Sequence, residues 1–174
     1  MAYTGIPEAI HSFNLYYGGS ALIGITGEVK LPEFAAKTNT IEGAGIQGEF
    51  DEPVIGKFNS MEIAIPFRVL DTNALDLLNQ ESAVDLMLRG DIQRARGDNM
   101  LINHGRMRIA VRGRVKQFDP GKAKMGEPMD ASVTVEIVYI MIELDGVNRV
   151  ELDKLNGVYK VNGKDLLEQV RRNT

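Results

Sequence analysis

Residues 105–121 read GRMRIAVRGRVKQFDPG. Met107, Ile109, Val111 and Val115 fall at odd positions, and Arg106, Arg108, Arg112, Arg114 and Lys116 at even ones. A period of two puts the two sets on opposite faces of an extended chain, so this is a β-strand with one apolar and one basic face. Phe118-Asp119-Pro120-Gly121 ends it, because proline fixes one backbone angle and glycine frees the next. A return strand is expected from about Ser132 to Leu144, rich in valine, isoleucine and tyrosine. It stops at Asp145-Gly146, a strong hairpin turn. A third strand, Arg149 to Leu155, completes a meander. Val138-Tyr139-Ile140-Met141-Ile142 is apolar on both faces, which requires a second layer from this chain or from a neighbour.

The rest of the chain covers or extends that meander. Residues 1–20 form a lead-in with a short strand at Phe13, Leu15 and Tyr17, ended by Gly18-Gly19. Two strand pieces follow, Leu22 to Ile25 and Glu28 to Leu31, the second cut by Pro32 and so confined to an edge. About residues 37–57 the composition changes: Gly43, Gly45, Gly48 and Gly56 punctuate a stretch made acidic by Glu42, Glu49, Asp51 and Glu52. This reads as a long loop or extended hairpin, mobile unless gripped, with Asp51-Glu52 in a turn. Structureless segments of that length usually have a use. Met61, Ile63, Ile65, Phe67 and Val69 alternate as a strand. Asp71-Thr72 caps a short helix at Asn73–Leu78. Val84, Leu86 and Leu88 open a strand through about Gln93, although Ala83 to Met87 also suit a helix, and Arg94 to Asn99 is expected as a charged turn. Tyr159–Val161 is a last short strand, and Asn162-Gly163 a turn. Residues 164–172 are expected as an amphipathic helix packing through Leu166, Leu167 and Val170. The whole is mainly β, one domain over residues 1–174, with one or two short helices.

Composition narrows the function. A chain of 174 residues with 44% apolar content can build one core. A formal charge of −4 gives no global attraction for nucleic acid or anionic membranes. No cysteine is present, which removes disulfides, thiol chemistry and thiolate metal sites. The N-terminal residues lack a signal-peptide pattern, and no apolar run is long enough to span a bilayer. His11 and His104 stand far apart in sequence with no partner at metal-ligand spacing, and His104 reads as a turn residue. The serines lack a G-x-S-x-G context. Gly43-Ala44-Gly45-Ile46-Gln47-Gly48 matches G-x-G-x-x-G, but no βαβ unit surrounds it. No catalytic, metal or cofactor site is therefore expected. The basic stripe Arg106–Lys116 is the one unusual electrostatic feature. It reads as a solvated face, a seam of subunit–subunit salt bridges together with Tyr139, or a nucleic-acid-binding surface. The last would normally carry stacking aromatics, and Phe118 stands alone there. A carbohydrate-binding module or small enzyme has no sequence feature in its favour.

The motif order resembles a known family. Arg112-Gly113-Arg114-Val115, Asp119-Pro120-Gly121 with Lys124 and Gly126, Tyr139, Glu143-Leu144-Asp145-Gly146, Leu152-Asp153, Asn162-Gly163-Lys164-Asp165-Leu166-Leu167 and Arg171 are similar to the major tail tube proteins of P2-like contractile-tailed phages and the tubes of related contractile bacteriocins. Leu31-Pro32 and Gly43-Ala44-Gly45 are similar to the family's N-terminal half. The C-terminus departs, with Arg172-Asn173-Thr174 where the family often has leucine-glycine. The resemblance implies a β-sandwich or barrel-like subunit with a flanking helix. It implies hexameric rings whose strands join around a channel and which stack into a tube inside a sheath. Implied partners are further copies, the sheath, baseplate and tail terminator proteins, and a tape measure protein or DNA in the channel. The implied place is the phage tail of a virion, assembled in the host cytoplasm, or a bacteriocin particle; the secreted tube of a related injection system is also similar. On this reading Gly43, Gly45, Gly48, Glu49, Asp51 and Glu52 form an inter-ring arm. The arginines are expected to be paired or turned from the channel, since unpaired guanidinium groups there would hold phosphates.

Overall fold

The computed structural model describes residues 5–22, 25, 27–96 and 101–174. Its centre is the expected meander. Strand β7 (Ile102–Asp119) pairs antiparallel with β8 (Ala131–Leu144), and β8 with β9 (Val147–Asp153). Asp145 and Gly146 both take positive φ, 52° and 80°, the geometry a tight two-residue hairpin needs. On the other flank β7 pairs with β6 (Val84–Arg96), and β6 with β1 (Gly5–Tyr17). Strands β2 (Ser20–Ala21), β10 (Val158–Val161) and β11 (Lys164–Asp165) finish the two ends.

The sheet forks at β8. Residues 139–144 of β8 pair with β9, whereas residues 131–136 pair with β5 (Glu62–Phe67). Val138 is bulged out between the pairs Arg112–Tyr139 and Gly113–Ile137, and its carbonyl accepts from Lys154 N at 3.0 Å. A bulge raises local twist and bends the strand, which folds β5 over the sheet. Gly113 sits at this point because β7 passes very close to β8. A Cβ there would lie 1.9 Å from the Glu136 carbonyl oxygen.

The core lies between the inner face of β6–β7–β8 and the layer folded over it. Leu86, Val111, Val133 and Ile137 from the sheet meet Met61, Ile63, Ile65 and Phe67 from β5 and its approach. Leu77 and Leu152 are also buried there. Each such side chain contributes about 1.5–3 kcal/mol by leaving water. Helix α1 (Thr72–Asp76) is capped as expected, with the Asp71 carboxylate accepting from Ala74 N at 2.9 Å.

The acidic stretch is a hairpin, β3 (Ala36–Ile41) and β4 (Phe50–Phe58), paired only with itself. Asp51 and Glu52 thus lie in β4 and not in a turn. The base of the hairpin is anchored by edge-to-face contacts among Phe34, Phe58 and Tyr159. Leu167 closes over Gly56, whose φ of +72° and missing side chain leave the space.

Four expectations are corrected. Strand β1 is 13 residues long and begins at Gly5. Register shifts at Glu8 and His11 reset its side-chain alternation and hide the pattern. Arg94–Arg96 continue β6 and do not turn; the rest of that expected turn lies outside the described residues. Of the pieces at 22–31, Lys30 makes one bridge to Ala64 and Ile25 one to Phe67, while Ile23 and Gly24 lie outside the described residues. At the C-terminus, Asn162-Gly163 turn the chain so that Lys164–Asp165 pair with β10, and helix α2 spans only Glu168–Asn173. Leu166 and Val170 are 38% and 54% exposed, so of the three expected packing residues only Leu167 is half-buried.

Candidate subunit interface

The basic face of β7 is uncovered, and its neighbours are carboxylates of the same chain. Antiparallel register sets Asp85 of β6 beside Arg112, Asp91 beside Arg106, and Glu143 and Glu136 of β8 beside Arg108 and Arg114. Arg112 Nε donates to Asp85 Oδ1 at 2.6 Å, and Arg108 Nη2 lies 3.0 Å from Glu143 Oε2. Lys116 Nζ bridges Glu62 at 3.1 Å and Glu136 at 3.4 Å. The hydrogen bond that Arg112 donates to Asp85, and the charge of that carboxylate, hold the Arg112 pKa above its ordinary value. Hydrogen bonds to Glu62 and Glu136 do the same for Lys116. Burial pushes the Glu136 carboxyl up, but Ser60, Lys116 and Met61 N–H all donate to it, and the net shift is downward. Tyr139 is raised by burial and by Glu151, to which its hydroxyl donates at 3.2 Å.

These pairs are largely open to solvent, and such pairs add little to stability. Their main effect is on the field, because alternating charge leaves little net positive potential over most of the stripe. Within the subunit, Arg108, Arg112 and Lys116 are answered from β5, β6 and β8. Arg106 and Arg114 have guanidinium groups without a partner among the described residues. His104 also differs from expectation. It lies within β7, its Nδ1 is 2.6 Å from Asp91 Oδ2, and its ring meets that of His11 edge to face at 5.9 Å. Cross-strand register, which no local pattern encodes, brings the two histidines together. Among the described residues no group of three or more His, Asp or Glu is placed to hold a metal ion.

A second feature lies at the sheet margin. Among the described residues no strand pairs with the outer edge of β1 from Gly5 to Asn14; β2 pairs with Tyr16 and Tyr17. Ile6 and Ile10 on this strand are 57% and 52% exposed. A cleft of about 710 Å³ runs beside the edge, between Ile10–Asn14 and the segment carrying Leu22, Ile25 and Val29. The β3–β4 arm is a third such feature, with Glu42, Glu49, Asp51 and Glu52 all exposed. Gly43, Gly45 and Gly48 at its tip adopt positive φ. Long uncovered edges are normally blunted in proteins that stay monomeric.

Comparison with known proteins identifies the family. The family profile of phage tail tube protein FII matches residues 7–174. The chain belongs to the phage tail tube protein family. It is 27% identical to the tail tube protein of Escherichia phage P2 over 178 residues, covering 97% of each chain. It is 31% identical to the major tail tube protein of Serratia phage KSP20 over 165 residues, covering 92% of this chain and 91% of the relative. Its role is thus that of a structural tail tube subunit.

Proposed function

We propose that the subunit closes into a ring, six-membered as the family resemblance implies, by adding the β1 edge of each copy to the far side of the next copy's sheet. The observation that carries this reading is the β1 edge from Gly5 to Asn14, unpaired among the described residues, with a cleft of about 710 Å³ beside it. Such a contact joins two different surfaces, so it propagates around a ring and closes without leaving edges. Rings then stack into a tube. The β3–β4 arm, which pairs with no other strand among the described residues, reaches the adjoining ring. The sheath surrounds the tube, the tape measure protein or DNA occupies the channel, and baseplate and terminator proteins bound its ends.

The ion-paired outer face of β6–β7–β8 suits a channel lining. Where Arg108, Arg112 and Lys116 are answered by carboxylates of the same subunit, the face holds a passing polyanion less tightly than free cations would. The test is negative-stain electron microscopy of the purified chain at high concentration, beside Ile10→Lys. Wild type is expected to give six-fold discs and tubes. A lysine on the exposed edge opposes pairing, so Ile10→Lys is expected to remain a folded monomer with an unchanged melting temperature. Normal tubes from Ile10→Lys would remove β1 from the interface.

A further inference from the structure

One part of the basic face is not neutralised. Arg89 of β6 lies directly opposite Arg108 of β7 in the register, and Arg106 is two residues along on the same face. Like charges in directly opposed positions destabilise a sheet. The local carboxylates do not resolve the conflict. Asp91 is taken by His104, and Glu143 by one nitrogen of Arg108. Arg108 Nε is buried and has no acceptor. Among the described residues Arg89 donates to the Met87 sulfur, at 3.3 Å, and lies over the Tyr16 ring with its guanidinium carbon 4.8 Å from the centroid. Arg106 uses its backbone N–H on Asp145, while its guanidinium has no partner among the described residues.

Arg89, Arg106 and Arg108 line one cleft of about 330 Å³, together with Gly90, Met107 and Glu143. Three arginines thus border one cleft whose single carboxylate is already engaged by Arg108. We propose that Arg89, Arg106 and Arg108 form an oxyanion site that takes a phosphate group. Planar guanidinium forks match the oxygens of phosphate and form charge-assisted hydrogen bonds with it. An anion seated between Arg89 and Arg108 also removes the repulsion between them. The same chemistry is offered by free inorganic phosphate and by a phosphodiester of nucleic acid. The site stands independently of ring formation, since all its residues come from one subunit.

The test is calorimetric titration of the purified chain with inorganic phosphate at constant ionic strength. It is run on wild type, Arg106→Ala, and Arg114→Ala as a stripe arginine outside the cluster. Arg106→Ala keeps the backbone bond to Asp145, and a melting curve verifies its fold. Wild type and Arg114→Ala are expected to bind alike. Arg106→Ala is expected to bind about tenfold more weakly, the loss of one charge-assisted contact. Absence of saturable binding to wild type overturns the site, as does an equal loss in both variants. A labelled DNA duplex then distinguishes the source. A duplex that phosphate displaces from wild type, and that Arg106→Ala fails to bind, identifies the phosphodiester. Saturable phosphate binding without competition by duplex identifies the free anion.

Discussion

Replacing Gly113 by alanine tests whether the fork in the sheet depends on the absence of one side chain. The added Cβ would lie 1.9 Å from the Glu136 carbonyl oxygen, 2.8 Å from its carbon and 3.1 Å from Val135 Cγ1. Unbonded heavy atoms rest roughly 3.5 Å apart or more. The nearest of these atoms belong to the backbone, so no rotamer change relieves the clash. Strands β7 and β8 must separate locally, at the position where β8 passes from β5 to β9. Overpacking of this kind costs about 1–3 kcal/mol. Each backbone hydrogen bond stretched by the separation adds about 0.5–1.5 kcal/mol. A total of about 3 kcal/mol corresponds, for a chain of this length, to a fall in Tm of roughly 6–12 °C. The assay is thermal unfolding by circular dichroism at a dilution where the protein is monomeric. Gly126→Ala is the control. Its Cβ meets nothing within 4 Å, and only its φ of +79° opposes the change, a cost of about 1–2 kcal/mol. A Gly113→Ala protein that melts no lower than Gly126→Ala would refute the close-approach argument.

The arm and the C-terminus supply two further expectations. Shortening the arm by excising residues 44–48 is expected to leave the core melting temperature unchanged while stopping growth at single rings, read by electron microscopy; full-length tubes would exclude the arm from ring stacking. Asp165 is held below its ordinary carboxylate pKa of 3.8, first by the hydrogen bond from Arg171 and also by the Leu167 N–H. A depressed carboxylate contributes stability that is complete above its ordinary pKa and is lost as pH falls through the lower folded value. Acidification is therefore expected to release α2 below about pH 4, seen as loss of amide protection. Asp165→Asn should show that loss already at neutral pH, and an identical pH profile for the two proteins would count against the contact.

The meander was legible because its two faces differ chemically. Apolar Met107, Ile109, Val111 and Val115 against a run of cations leave no helical alternative, and Asp145-Gly146 and Asn162-Gly163 announce their turns. Strand β1 was largely hidden, since two bulges reverse its alternation and much of it is exposed on both faces. The C-terminal helix was overextended because Leu166, Leu167 and Val170 have helical spacing, while pairing to β10 depends on a strand outside any local window. The partners of the arginine stripe were illegible for a related reason. Asp85, Glu136 and Glu143 face it only through cross-strand register, and the bulge at Val138 shifts that register midway. A sequence pattern reports which face a residue occupies, whereas the residue beside it on that face is fixed by pairing.

The long-range pairing of β1 also sets a clock. Gly5 pairs with Arg96, and Tyr17 with Leu86. A chain made from its N-terminus leaves β1 without its partner until more than half of the polypeptide has left the ribosome. The arm waits longer still, because Leu167, which closes over Gly56 at its base, is among the last residues made. A nascent chain therefore completes the β1 pairing midway through synthesis and seats the arm only at its close. If β1 and the arm join subunits as proposed, the order of synthesis delays polymerisation until the chain is finished.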